Sequence, residues 1–247
     1  MRPSLWFVVP AHGRIEVTGA CLRQLARTCE TLGDNGIDAS AVVIACDGNL
    51  DTAAELGFGT VDRDNRFLGR RWNDGYELCR VAGVDYAIPF GSDDWIDPTL
   101  ILAAPLPADD QLVCFRRAAF VREDGARLAL LRIPYDGGLG IRVIPAAMLA
   151  RARFRPADED RNRALDASVW RGLCRALGRQ PRLVYHDLHP LQIVDWKSNT
   201  QLNSYADCLR YLNGPESDDP FADLAEVYPG EALDEMRDVY VPQAVAA

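Results

Sequence analysis

The sequence predicts an α/β fold: a mostly parallel central sheet covered by helices. Short apolar runs alternate with helical patterns over the first hundred residues, and turn signals close those runs. Of the 247 residues, 48% are hydrophobic, enough for a real core in one large or two small domains. Leu5 to Val9 is the first buried-strand run, ended by Pro10. A helix follows from about Ile15 to Leu32, where Val17, Cys21, Leu22, Leu25, Ala26 and Cys29 recur at three-and-four spacing. Ala41 to Cys46 is a second strand, stopped by the turn pair Asp47-Gly48, and Thr60-Val61 is a brief third. Trp72 to Val81 reads as helix, and Tyr86 to Phe90 as a fourth strand closed by Gly91-Ser92-Asp93-Asp94. Ligands of such sheets bind at the carboxyl ends of the strands, so Pro10–Arg14, Asp47-Gly48 and Gly91–Asp94 are expected to meet in one crevice.

The second half has a different rhythm. Leu112 to Val121 and Ala126 to Ile133 read as two strands around a hairpin turn at Glu123-Asp124-Gly125. Asp136-Gly137-Gly138-Leu139-Gly140 has neither dinucleotide-binding nor P-loop spacing and reads as a loop. It leads into an Ile141–Ile144 strand and a short helix near Ala146–Ala152. Arg161 to Leu177 is a helix, with Leu165, Val169, Leu173 and Leu177 four residues apart and Gly178 at its end. Arg182–Tyr185 and Leu191–Trp196 are strands. The tail from Ser204 reads as helix in two pieces around Gly214–Pro220.

Composition narrows the function. With 27 Lys+Arg against 36 Asp+Glu, the formal charge of −9 argues against an indiscriminate grip on nucleic acid. No run of about 18 apolar residues offers a membrane span, and the N-terminus reaches Pro10 and His12 too soon for a signal peptide. The 7 cysteines are scattered, with no C-x-x-C and no zinc spacing, as expected of buried small side chains in the cytoplasm. Lys197 is the only lysine, a bias that suits a GC-rich bacterium or its phage.

The sharpest chemical signal is Ser92-Asp93-Asp94 at the end of an apolar strand. Adjacent carboxylates repel one another, and a divalent cation relieves the repulsion; hard oxygen ligands suit Mg²⁺ or Mn²⁺. The same residues read equally as an N-cap for a helix beginning at Trp95-Ile96. Trp95 and Trp170 read as a sugar-stacking wall or as core.

Other motifs flank this turn. Val9-Pro10-Ala11-His12-Gly13-Arg14 matches a V-P-x-x-x-R loop after the first strand, and Asp47 is an acid after the second. Asn73-Asp74-Gly75 is an Asn-x-Gly helix, Ser92-Asp93-Asp94 stands for D-x-D with serine as its first member, and Leu165-Asp166-Ala167-Ser168-Val169-Trp170 approximates an x-E-D turn with leucine in place of glutamate. In content and order these resemble the GT-A glycosyltransferases, the family-2-like group in particular, across roughly residues 4 to 200 and most strongly through residue 98.

The resemblance implies a GT-A (nucleotide-diphospho-sugar transferase) domain over residues 1–200, with 1–98 the nucleotide-binding half and 99–200 the acceptor-binding half. A C-terminal helical extension, 201–247, would follow. The implied activity is metal-dependent transfer of a sugar from an NDP-sugar, UDP favoured, to an acceptor hydroxyl with inversion, Asp166 serving as general base. Asp94 would ligate Mn²⁺ or Mg²⁺, with His189 or His186 completing the shell. Donor contacts would come from Pro10, Ala11, His12, Arg14, Asp47, Arg70, Arg71, Asn73, Ser92, Asp93 and Lys197. In particular, Asp47 would accept from a uracil N–H, and Lys197 would meet the diphosphate as a compact charge. The acceptor stays open among glycan, protein and modified DNA base, as does the oligomeric state. Two other readings stand beside this one: a catalytically silent GT-A module that binds nucleotide-sugar or a partner, and a nucleotidyltransferase.

Overall fold

The computed structural model describes residues 2–122, 124–132, 141–162, 165–186, 189, 191–197 and 212–240. The first half runs β1 (Ser4–Pro10), α1 (Ile15–Asp34), β2 (Asp38–Ala45), α2 (Asn49–Glu55), β3 (Gly59–Asp62), α3 (Leu68–Ala82) and β4 (Tyr86–Pro89). Then come β5 (Asp94–Ile96), α4 (Pro98–Ala103), β6 (Gln111–Cys114), β7 (Arg117–Val121), β8 (Leu128–Arg132), β9 (Arg142–Pro145), α5 (Ala146–Arg151) and α6 (Leu165–Leu177). The chain closes with β10 (Arg182–Tyr185), β11 (Ile193–Trp196), β12 (Leu212–Ser217), α7 (Pro220–Leu224) and α8 (Gly230–Tyr240).

The central sheet has the order β10-β6-β9-β4-β1-β2-β3, with β9 antiparallel to both neighbours and every other pair parallel. It is covered on both faces, which is why its strands read as unbroken apolar runs. Phe7, Val9 and Val43 point into one core with Leu22, Leu25 and Leu32 of α1. Val8, Val42 and Ile44 point into the other, with Trp72 and Tyr76 of α3 and Val169 and Leu173 of α6. Gly75 lets α3 lie flat on the sheet, because a Cβ there would fall on Val8 and Ile44. The Asn-x-Gly motif is therefore a packing device.

A second sheet, β12-β8-β7-β11-β5, stands beside the first. Its core joins Trp95, Val121, Val194 and Trp196 to Phe221, Leu233, Met236 and Tyr240 of the two last helices. Trp95 is core rather than a sugar wall, 1% exposed and edge-on to Trp196 at 5.0 Å. Trp170 packs partly buried against the other core.

Several expectations are corrected here. Trp95-Ile96 is strand, and the helix begins later, at Pro98, with Asp97 as N-cap accepting from the Thr99 N–H at 3.0 Å. The run Leu112–Val121 is two strands in different sheets, β6 and β7, and no glycine or proline marks the break. Helix α2 follows Asp47-Gly48 without an apolar repeat long enough to announce it. Beyond residue 200 the chain supplies a strand, β12, as well as helices. The glycine-rich stretch 137–140 and the first part of the tail, 204–211, lie outside the described residues.

The segment before α6 is clamped between two helices. The Asn73 amide donates to the Ala157 carbonyl and accepts from the Ala157 N–H, both at 3.0 Å, and Ser168 Oγ accepts from the Asp158 N–H at 2.7 Å. Replacing Asn73 with alanine leaves two buried backbone groups unpaired, so it is expected to cost about 3 kcal/mol in urea unfolding.

Candidate active site

Strands β1, β2 and β3 step outward in one direction, whereas β4 returns to the other side of β1. This reversal makes a switch point between β1 and β4, where the loops leaving the two strands separate and open a crevice. A cleft of about 920 Å³ lies there, lined by Pro10, His12, Gly13 and Arg14 from the β1 loop and by Ser92, Asp93 and Asp94 from the β4 loop. Asn65, Leu68 and Arg71 form one wall with Asn162, and Asp195 and Lys197 at the end of β11 complete it.

The β1 loop is set by Asp47. Its Oδ2 accepts from the Gly13 N–H at 2.7 Å, and its Oδ1 accepts from Asn49 Nδ2 at 2.7 Å. Burial works to raise the Asp47 pKa, but the hydrogen bonds from Gly13 and Asn49 outweigh it and the net shift is downward. The loop needs this clasp because Gly13 and Arg14 both take left-handed backbone, φ 60° and 47°, which costs a non-glycine residue on the order of 1 kcal/mol or more. So bent, Arg14 donates to Asp93 Oδ2 at 2.9 Å and to Ser92 Oγ at 3.0 Å.

Asp94 curls back to accept from the Gly91 N–H at 2.7 Å. A Cβ at position 91 would lie 2.6 Å from Asp94 Oδ2, so a larger residue there would displace that carboxylate. Strand β5 pairs antiparallel with β11, in a register that sets Asp195 directly opposite Asp94. Like charges in that position destabilise a ladder. Asp93, Asp94 and Asp195 each offer an oxygen within 4.8 Å of the others. Burial first, then Asp195 and Asp93, push the Asp94 pKa well up; Asp195 is raised to about 6, chiefly by burial and against the pull of Lys197. Asp195 Oδ1 is buried with no hydrogen-bond partner. A carboxylate triad with an open buried oxygen fits a hard divalent cation.

The residues singled out in the sequence separate into groups. Pro10, His12, Arg14, Arg71, Ser92, Asp93, Asp94 and Lys197 line the cleft together. Ala11 and Asp47 support it from behind: the Ala11 carbonyl accepts from Arg71 Nη1 at 2.8 Å. Arg70 instead lies over the Phe67 ring and Asn73 is committed to Ala157, so neither is among the lining residues. Asp166 stands in the first turn of α6, also outside the lining, to which Asn162 contributes. Among the described residues the one group able to hold a metal contains neither His186 nor His189. His189 instead accepts from the Leu191 N–H at 3.4 Å through Nδ1. Asp195 was missed; its only sequence signal is the pairing of Asp195 and Lys197 at a strand end.

Fold and site define an α/β protein with an acidic, cation-flanked crevice at its switch point. No protein-family model and no curated protein sequence matches the chain. Among solved structures it is similar to a mutant Drosophila galactosyltransferase 7 in complex with manganese, UDP-Gal and xylobiose, at 11% identity and TM-score 0.48, over 94% of this chain and 83% of that one. It is also similar to a cytidylyltransferase from Leptospira borgpetersenii, at 12% identity and TM-score 0.43 over 100% of both chains. A third is a glycosyltransferase involved in glycosylation of the major capsid of PBCV-1, at 10% identity and TM-score 0.41, over 78% of this chain and 92% of that one.

Proposed function

We propose that the chain is a divalent-metal-dependent glycosyltransferase that uses an NDP-sugar, UDP favoured, and transfers the sugar to an acceptor hydroxyl with inversion. The observation that carries this reading is the crevice itself, where three carboxylates and the cations Arg14, Arg71 and Lys197 face one another in a volume suited to a nucleotide-sugar. Asp93, Asp94 and Asp195 would hold Mn²⁺ or Mg²⁺, which supplies Lewis-acid neutralisation of the diphosphate leaving group. Arg71 is buried, with Nε unpartnered, and would turn that donor toward the nucleotide. Arg14 and Lys197 would meet the phosphates, and Pro10, His12 and Asn65 would border the nucleoside. In the transfer the acceptor oxygen bonds to the anomeric carbon, the bond from that carbon to the diphosphate breaks, and the acceptor proton passes to a base. Asp166 is the proposed base on the strength of the resemblance.

Asp166 lies outside the cleft lining, and that position favours a second reading, a silent module that binds nucleotide-sugar without transferring it. Incubation with Mn²⁺ and a panel of labelled NDP-sugars separates the two, because a transferase slowly hydrolyses its donor without acceptor. Hydrolysis is expected with one UDP-sugar, and Asp166→Asn is expected to lower it together with transfer, transfer by at least about 100-fold, because water attacking the anomeric carbon gives up its proton to the same base. Binding without hydrolysis would favour the silent module. Neither hydrolysis nor a thermal shift with any NDP-sugar would remove both readings.

A further inference from the structure

The acidic crevice contains its own counter-ion. Lys197 is buried, and its ammonium pairs with Asp195 Oδ2 while lying 4.5 Å from the centre of the Phe120 ring. Its backbone is held on both sides: the N–H donates to the Val121 carbonyl at 3.0 Å, and the carbonyl accepts from Tyr240 Oη at 2.5 Å. The fold thus delivers one positive charge to the same carboxylate that stands opposite Asp94. Arg14 compensates Asp93 in a different way, since its guanidinium is shared with Ser92. A divalent cation chelated by all three carboxylates needs Asp195 with its charge available, and an ammonium on that carboxylate opposes the cation both by occupying an oxygen and by like charge.

We propose that Lys197 is a built-in competitor of the metal: it neutralises Asp195 in the metal-free protein and swings off that carboxylate when a divalent cation binds to Asp93, Asp94 and Asp195. The inference rests on the metal-binding part of the reading above and is independent of which donor the protein takes. The same ammonium, once released, stays inside the cleft, where an anionic ligand would receive it.

Calorimetric titration of the whole chain with Mn²⁺, without nucleotide, tests it. Lys197→Met keeps an apolar stem over Phe120 and removes the charge, so it is expected to bind Mn²⁺ at least about tenfold more tightly than the wild type, whereas Lys197→Arg stays near the wild-type affinity. A folded Met variant that binds no more tightly overturns the proposal. If that variant does not fold, the wild type decides. Lys197 is the only lysine, so a sample isotopically labelled in lysine alone carries one side-chain ammonium resonance. Diamagnetic Mg²⁺ is expected to shift that resonance in step with its binding isotherm, and a resonance that stays fixed while Mg²⁺ binds overturns the competition alone. Cation binding by none of these proteins overturns the competition and the metal reading together. A failure of the donor assays would leave both measurements intact.

Discussion

Asparagine at position 94 is expected to abolish donor turnover and, at the same time, to raise the melting temperature of the metal-free protein. Asp94 faces Asp195 across the β5–β11 ladder with Asp93 beside it, and burial together with these two charges holds its pKa well above the ordinary range. The amide removes one of three clustered charges and keeps an oxygen to accept from the Gly91 N–H. The fold therefore gains stability where the proposed metal site loses a ligand, the usual conflict between stability and function. Loss of a first metal ligand should lower donor hydrolysis by at least about 100-fold. The pH dependence follows with a definite sign. A carboxyl with a raised folded pKa contributes stability that is complete below its ordinary value and lost as pH rises through the folded one. For Asp195 that interval runs from 3.8 to about 6, so the metal-free wild type should lose stability across it and Asp94→Asn should lose less. A variant that melts at or below the wild type at neutral pH would show that the three charges are not in conflict.

Gly172→Ala is expected to destabilise by about 3 kcal/mol in urea unfolding, although alanine is the better helix former by about 1 kcal/mol. Gly172 lies within α6, and a Cβ there would land on the Pro156 carbonyl. Gly69 at the start of α3 is constrained in the same way by the Asp158 carbonyl. Helices α3 and α6 therefore grip the 156–158 segment at backbone distance, and Asn162, which reaches the Leu68 N–H at 2.8 Å, closes the cleft wall from the end of that segment. Donor affinity should fall along with stability, because the wall moves with the segment. A neutral or stabilising effect would mean that the segment can shift freely away from α6.

Much of the first half was legible because its signals are local. Strands buried on both faces give apolar runs, helices give a three-and-four repeat, and a parallel arrangement sends every following loop to one edge. Pro10–Arg14, Asp47-Gly48 and Gly91–Asp94 were expected in one crevice; Pro10, His12, Gly13 and Arg14 line it with Ser92, Asp93 and Asp94, while Asp47 holds Gly13 from outside the lining. The same logic misjudged Trp95-Ile96, whose three-residue strand is too short to display a period. It also assigned Asn73 to the ligand by motif, where the residue's amide is matched to a backbone 84 positions away.

The sequence by itself determined the layered architecture, the edge of the sheet that carries the crevice, and the acids at the end of β4. Only the tertiary structure decided that Asp195 stands opposite Asp94 and that the lone lysine is aimed at it. The physical reason is register. Local periodicity says that β5 and β11 exist at all, but which residue of one meets which residue of the other depends on cores assembled from distant parts of the chain. The resemblance pointed to His186 or His189 for a metal shell, whereas the pairing of two short strands brings an aspartate beside Asp93 and Asp94.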